Sequence, residues 1–201
     1  AGIYLYLYGE LEEPGFSVNS EPPKSLVDKK QISQKPFGRQ KQILFGDTHV
    51  HTTYSTDAFL WSLPILNGEG PHPIADACDF ARFCANLDFW VSTDHAEALT
   101  PRKWKSIKEA VRNCNSPTDA KDPDLVTFLG YEWTQVGNTA DTHYGHKNVM
   151  FLDIEEGKVP ERAIGAGGLA TNGMRAGIPG QSRQLRPAAP VSYTHLTLPT
   201  T

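Results

Sequence analysis

The alternation of apolar runs with helix-type segments is the feature that most restricts how this chain can fold. Apolar runs typical of strands occupy residues 43–51, 87–92, 125–133 and 146–152. Between the first three runs, residues 72–86 carry an apolar stripe at helical spacing, and Thr100-Pro101 is typical of the start of a second helix. Strands that alternate with helices in this way predict an α/β fold with a parallel sheet or barrel.

The segments around these elements divide the chain into three parts. Residues 1–41 combine a period-two apolar segment at Ile3–Tyr8, typical of a strand, with a polar, proline-containing stretch that we interpret as a surface connection. Residues 42–155 hold the alternating elements and form the predicted domain. Residues 156–201 become rich in Gly, Ala and Pro without sustained periodicity, so we predict a disordered tail. The last ten residues of this tail, Ser192–Thr201, resemble translated sequencing-adapter sequence.

Composition excludes several classes of protein. The formal net charge is −4, which gives no broad basic surface and does not indicate nucleic acid as a partner. No run approaches the roughly 18 apolar residues of a membrane-spanning helix, and no signal peptide is recognisable. Cys78, Cys84 and Cys114 are odd in number and lack metal-knuckle spacing, which argues against a disulfide framework. We interpret them as unpaired, buried small residues, and unpaired cysteines favour a cytoplasmic location.

Histidine is the residue type with the unusual distribution. Six of the seven histidines lie between His49 and His146. Asp47, His49 and His51 follow a period of two after an apolar run, so on a strand they share one face. The two imidazoles would lie about 7 Å apart and could converge on one metal ion or bridge two. Asp47 could bind the metal or orient an imidazole. The alternative is a surface strand with two chance histidines.

Further polar residues lie at the ends of the next strands. Asp94 and His95 directly follow the run at residues 87–92, Glu132 lies within the third run, and His146 opens the fourth. Active sites of parallel α/β folds collect at the carboxyl ends of strands. A glutamate among apolar neighbours is costly to bury without a partner such as a metal ion. Taken singly, these residues also fit a helix-entry turn and an edge-strand glutamate. Taken together, they predict a mixed His/carboxylate site of the kind that holds Zn, Mn or Fe.

The order of these motifs resembles that of the polymerase and histidinol phosphatase (PHP) superfamily of metal-dependent phosphoesterases. The segment FGDTHVHT at residues 45–52 resembles its first motif, Thr93-Asp94-His95 its second, and Glu132 falls where the third motif has a glutamate. A large, poorly characterised bacterial branch of unknown function is more similar still. That similarity lies in residues 54–59, 87–97, 130–134 and 146–149.

The resemblance implies the N-terminal part of a distorted (β/α)7 PHP-type barrel, with two or three divalent ions at the carboxyl ends of its strands. The metal ligands that it implies are His49, His51, His95, Glu132 and His146. From their positions, we assign Asp94 and Asp57 to catalysis, Asp94 in orienting a ligand or managing a proton and Asp57 at the pocket rim. The family's Asp-x-His pair on a late strand is absent, so the sequence is expected to be an incomplete barrel.

The leading functional hypothesis is hydrolysis of a small-molecule phosphate ester by the intact parent protein, through water activated by the metal ions. Two alternatives stay open. An amidohydrolase-like enzyme would attack a carbonyl group at the same site, with Lys147 as the only nearby candidate for the metal-bridging lysine usual in that fold. A binding module whose metal centre has decayed would need no catalysis. The sequence carries no signal for an oligomeric state.

Overall fold

The computed structural model describes residues 14–18, 20–33, 43–70, 72–116 and 123–167. Its helices and strands, in chain order, are α1 (Lys24–Ser33), β1 (Gly46–Val50), α2 (Thr56–Ser62), α3 (Ile74–Asp79), β2 (Phe89–Ser92), α4 (Pro101–Asn115), β3 (Val126–Gln135) and β4 (Gly145–Phe151). A π-helix at Phe80–Cys84 continues α3, and short 3₁₀ helices lie at Pro64–Leu66 and Ala96–Ala98. The predicted strand Ile3–Tyr8 and the tail beyond residue 167 lie outside the described residues.

The four strands form one curled, half-barrel sheet in the order β1-β2-β3-β4. The pairs β1–β2 and β2–β3 are parallel, which confirms the predicted α/β alternation. The curl brings the two edges of the sheet together, because the side-chain amide of Asn148 on β4 donates to the carbonyl oxygen of Thr48 on β1 at 2.8 Å. The carboxyl ends of β1, β2 and β3 and the amino end of β4 therefore lie around one region of space.

The fourth strand corrects the prediction of an all-parallel series. β4 pairs with β3 in antiparallel orientation, from Leu129 opposite Phe151 to Gln135 opposite Gly145. The connection consists of residues 136–144 alone, shorter than the dozen or so residues that a parallel crossover needs. A hairpin is the connection that such a short segment permits.

The main core lies between the sheet and the helices α3 and α4. Helix α4 begins as predicted, with Pro101 in its first turn and the Thr100 side chain accepting from the backbone N–H of Lys103 at 3.2 Å. Trp104 of this helix is fully buried and meets the ring of Tyr131 edge-on, with 5.8 Å between the ring centroids. Other buried members of the core include Ile74, Trp90, Ile107, Val111, Leu125 and Leu129.

A disulfide between Cys78 and Cys114 joins α3 to α4, with 6.0 Å between the two Cα atoms. The prediction of three unpaired cysteines was therefore wrong, and Cys84 alone is free and exposed. Both bonded cysteines do lie on buried helix faces, as predicted, but the packing of the two helices brings those faces into contact. The cytoplasmic prediction depended on unpaired cysteines, so this disulfide removes its basis. In the described part of the chain, no helix has the length and apolar character needed to span a membrane.

Two segments that the sequence assigns to surface or tail contribute to the folded unit. Within the predicted surface connection, Lys30 of α1 donates to the carbonyl of Leu87 at 2.7 Å and lies 3.3 Å from the Asp88 carboxylate. Within the first residues of the predicted tail, the Pro160 carbonyl accepts from the Trp104 indole N–H at 2.8 Å. Val159, Ala163 and Ala166 are buried there. These residues after position 155 thus contribute to the folded unit.

Candidate metal centre

A shift in strand register positions the two histidines of the first motif. The pairing of β1 with β2 is irregular between Asp47 and Val50, and such bulges re-aim side chains beside functional sites. His49 and His51 reach the same cluster, as predicted. The Asp47 carboxylate instead accepts the backbone N–H of His49 at 2.9 Å. Among the described residues, Asp47 belongs to none of the groups that could hold a metal ion.

Glu132 of β3 lies at the centre of the cluster, with only 1% of its side chain exposed. One carboxylate oxygen, Oε2, lies 2.8 Å from Nε2 of His51 and 3.2 Å from Nε2 of His49. The same oxygen lies 3.3 Å from Nδ1 of His95. The second oxygen, Oε1, lies 2.5 Å from Nδ1 of His146. Four imidazoles from three segments of the chain therefore converge on one buried carboxylate.

Asp57 adds a second carboxylate to this cluster. It lies in the first turn of α2, and its Oδ2 is 3.4 Å from Nε2 of His95. Its Oδ1 is 3.9 Å from Nδ1 of His51. The hydrogen bond with His95 holds the pKa of the Asp57 carboxyl well below its usual range. Asp57 is therefore ionised and available as an oxygen ligand at neutral pH.

The antiparallel direction of β4 places His146 in the site. His146 pairs with Thr134, near the carboxyl end of β3. A parallel fourth strand would have begun beside the amino end of β3, so its first residues would lie far from Glu132. The Thr134 hydroxyl lies 2.9 Å from Nδ1 of His95 and 3.5 Å from Nδ1 of His146, so it connects the two rings.

Three overlapping groups could each hold a metal ion: His49, His51 and Glu132; His51, Asp57 and His95; and His95, Glu132 and His146. Within each group the candidate ligand atoms lie within 4.8 Å of one another. The structure thus brings together six of the seven predicted site residues. The mixture of imidazole and carboxylate donors fits Zn, Mn or Fe.

Asp94, the seventh predicted site residue, lies behind this cluster and is completely buried. Its carboxylate accepts from the backbone N–H and the hydroxyl of Thr52, at 2.7 and 2.9 Å, and from the hydroxyl of Ser55 at 2.9 Å. Ser55 in turn accepts the backbone N–H of His95 at 3.0 Å. Burial raises the pKa of Asp94. These contacts give Asp94 a positioning role, since it fixes the loop after β1 against the segment that carries His95.

The environment of the cluster sets the charge of its members. Burial lowers the pKa of His51, which favours the neutral imidazole that a metal ion requires. Burial also acts against ionisation of Glu132. The charge of His95 and the hydrogen bonds from His49 and His146 outweigh this effect and keep the pKa of Glu132 below its ordinary value. For His95, burial is outweighed by the hydrogen bond and charge of Asp57, which raise its pKa.

Sequence reasoning missed two residues that support the site. Thr134 lies two positions after Glu132 on the same strand, so period-two alternation was a usable signal for it. Glu97 is buried, and its Oε1 accepts the backbone N–H groups of Thr134 at 3.1 Å and of Ala166 at 2.7 Å. No local pattern marks Glu97, because one of its partners is 69 residues away in the sequence.

Two cavities adjoin the cluster. One, of about 680 Å³, runs along β1 and is lined by His49, His51 and apolar side chains that include Phe80 and Trp90. A smaller cavity of about 260 Å³ lies in the loop after β1 and is lined by residues that include His51, Ala58, Trp61 and His72.

The remaining described histidines, His72 and His143, lie outside the candidate metal groups. His72 is exposed and lies 3.8 Å from the Asp76 carboxylate. His143 is an exposed loop residue whose Nδ1 donates to the Gly137 carbonyl at 3.3 Å.

Comparison with known proteins adds one similarity. A family model described as "Protein of unknown function (DUF3604)" matches residues 38–101. This stretch includes the His-x-His segment, Asp57 and the Asp94-His95 pair, and it ends before the strand that carries Glu132. No curated protein and no solved structure matches the chain.

Proposed function

We propose that the intact protein is a metal-dependent hydrolase of phosphate esters, with the PHP superfamily as its class and a barrel of that type as its complete fold. The observation that carries the proposal is the buried Glu132 carboxylate with four imidazole nitrogens within 3.3 Å. A buried carboxylate needs partners, and the four nitrogens beside this one belong to imidazoles, the commonest metal ligands among side chains. Convergence of this many lone pairs is typical of a metal centre.

The three groups described above would hold two or three divalent ions, with Zn, Mn and Fe as the candidates. Glu132 belongs to two of the groups, and its two oxygens face different histidines, so it is the residue that would link neighbouring ions. Bound ions of this kind lower the pKa of a water molecule towards neutrality and offset the negative charge of a phosphoryl group.

The charge of the site supports a phosphate ester over a carbonyl substrate. The cluster contributes two carboxylates, Glu132 and Asp57, and its other four members are imidazoles, which bind metals in their neutral form. Two or more divalent ions would therefore leave the site with net positive charge, which attracts a phosphate dianion more strongly than a neutral amide or lactone.

The carbonyl alternative would need a metal-bridging lysine, and its candidate, Lys147, is placed away from the cluster. Lys147 is next to His146 on β4, and adjacent strand residues point to opposite faces. Lys147 is also exposed, as expected for a side chain directed away from the cluster.

The test is hydrolysis of 4-nitrophenyl phosphate by the full-length protein supplied with Mn²⁺ or Zn²⁺. We expect a His49→Ala/His51→Ala double variant to lose kcat/KM by at least about 100-fold, the upper range for removal of a partner that supports a metal ligand. His143→Ala is the matched control, because this histidine lies in an exposed loop. Equal rates in the wild type and the double variant would falsify the proposal. Activity on esters or amides of carboxylic acids, without activity on phosphate esters, would favour the carbonyl alternative.

A further inference from the structure

We propose that the substrate carries a flat apolar group that binds against Trp61, in the 260 Å³ cavity of the loop after β1. The inference rests on the proposed function and names its substrate class: an aryl phosphate monoester whose ring bears no further negative charge.

The helix that supplies Asp57 also supplies Trp61. The two residues are four positions apart on α2, so their side chains leave the same face of the helix one turn apart. The Asp57 carboxylate is directed at His95, a member of two candidate metal groups. Trp61 therefore lies one helical turn from a candidate metal ligand, beside the loop that follows β1.

The same cavity contacts both the cluster and Trp61. His51, which belongs to two candidate metal groups, and Trp61 both line it. A phosphoryl group bound at the cluster could therefore place the rest of its ester in this cavity, where Trp61 is one of the lining residues.

Trp61 is exposed to a degree that is unusual for tryptophan, at 71%. Leu60, Ile65 and Leu66, close to it in the sequence, are exposed as well, so this segment presents several apolar side chains to solvent. Exposed apolar patches of this kind mark ligand sites more often than isolated apolar residues do. Among side chains, tryptophan offers the largest flat surface for stacking on another ring.

Size and charge narrow the ligand further. A volume of about 260 Å³ is near the lower limit of small-molecule sites, about 300 Å³, and suits one ring or two fused rings. The walls beside the indole carry the small side chains of Thr52, Thr53 and Ala58. Glu69 lines the same cavity, and its carboxylate would repel a second acidic substituent on the ring.

The larger cavity is less suited to this role. It extends along β1 to Gly46 and to Leu87, which precedes β2, and so leads to the amino ends of the strands. The candidate metal groups lie towards the carboxyl ends of β1, β2 and β3.

The experiment is calorimetric binding of inorganic phosphate and of 2-naphthyl phosphate, the latter used as its non-hydrolysable phosphonate analogue, to the metal-loaded full-length protein. Trp61→Ala is expected to weaken binding of 2-naphthyl phosphate about 5–20-fold, the loss of one aromatic stacking partner and its contact area. Binding of inorganic phosphate is expected to change less than about 2-fold. Trp61→Phe should keep most of the wild-type affinity for 2-naphthyl phosphate, because phenylalanine still offers a ring for stacking. Leu152→Ala is the matched control, since Leu152 is an apolar residue that is 81% exposed and lines neither cavity.

The outcomes separate this inference from the proposed function. Equal affinity of the wild type and Trp61→Ala for 2-naphthyl phosphate, or an equal loss for both ligands, overturns the role of Trp61, even if the protein hydrolyses phosphate esters. If the wild type hydrolyses no phosphate ester but Trp61→Ala selectively weakens binding of the aryl ligand, the proposed function fails and the aryl site stands. Failure of the wild type to bind 2-naphthyl phosphate more tightly than inorganic phosphate also overturns the inference.

Discussion

The two faces of β3 are equally buried but have different roles. One face belongs to the apolar core and the other to the candidate metal centre. Leu129 and Tyr131 point to the helix layer, where they join the apolar core. Glu132 and Thr134 point to the other side, where they meet the histidines of the candidate metal centre. Burial of the first pair stabilises the fold by roughly 25 cal/mol for each Å² removed from water. Burial of the second pair costs free energy unless each polar atom has a partner.

The comparison of these two faces indicates that different parts of the molecule determine stability and ligand geometry. The helix layer holds the sheet through apolar contacts and one disulfide. The site face depends on that support, because its buried carboxylates do not stabilise the fold by themselves. Variants of the helix layer should therefore change mainly the free energy of unfolding, and variants of the site face should change mainly the metal affinity.

The largest effect on stability is expected from Trp104→Ala. Trp104 is fully buried, packs on Tyr131 and Phe151, and donates to the Pro160 carbonyl. Its removal should lower the free energy of unfolding by about 3–5 kcal/mol in metal-free protein. Urea denaturation measures this loss, with Trp61→Ala, an exposed tryptophan, as the control that should change stability by less than about 0.5 kcal/mol. Similar losses in the two variants would contradict the division into layers.

The next effect is that of the disulfide. It closes a segment with a sequence separation of 36 residues, and a loop of that size corresponds to about 3–4 kcal/mol of stability. A Cys78→Ala/Cys114→Ala variant should lose that amount and should no longer respond to dithiothreitol in urea denaturation. Cys84→Ala should keep the full response of the wild type, because Cys84 is free. A wild type whose stability is unaffected by the reductant would show that the bond is missing.

The sequence predicted the local elements of this fold better than their mutual arrangement. The Thr100 cap, the buried stripe of α4 and the strand that carries Glu132 are encoded in neighbouring residues, and all three are confirmed. The predicted parallel arrangement does not extend to β4, because the connection after Gln135 is too short for a parallel crossover. The pairing of Cys78 with Cys114 depends on how two helices pack, which no local pattern contains.

The candidate site shows the same limit. Strand periodicity correctly grouped His49 with His51, but it also included Asp47, because a bulge between Asp47 and Val50 leaves no signal in the sequence. Asp57 was assigned to the pocket rim, yet the structure gives it the position of a ligand. Its closeness to His95 arises from the fold of the loop after β1, and residue spacing does not determine that fold.

Glu132→Gln tests the comparison of the helix layer with the site face, because this substitution lies on the site face alone. The amide keeps the shape of the side chain and some of its hydrogen bonds, so metal-free stability should fall by only about 1–3 kcal/mol. The rise in Tm that Zn²⁺ or Mn²⁺ gives the wild type should disappear, because a ligand stabilises only the state that binds it. Thermal melts with and without metal test this, with the exposed Glu161→Gln as control. A Tm rise of wild-type size in Glu132→Gln would remove Glu132 from the centre of the site.

The smallest effect is expected from a polar contact at the outside of the helix layer. The exposed Glu156 carboxylate lies 2.8 Å from Nζ of Lys108 and 2.9 Å from the guanidinium of Arg112. The hydrogen bonds from these two cations lower the pKa of Glu156, and the bond from Lys108 has the larger effect. A carboxyl group with a lowered pKa in the folded state stabilises the fold above its ordinary pKa, and this contribution disappears as the pH falls through the lowered value.

Glu156→Gln should therefore lower Tm slightly at pH 7, and the gap to the wild type should close as the medium becomes acidic enough to protonate Glu156. High salt at pH 7 should also narrow the gap, since the carboxylate is exposed and screened by ions. Thermal melts of both proteins across this pH range measure the difference. A gap that is as wide in acid as at pH 7 would mean that Glu156 acts through packing rather than charge. The contrast with Glu132 follows from burial, because water replaces the partners of an exposed carboxylate but cannot reach those of a buried one.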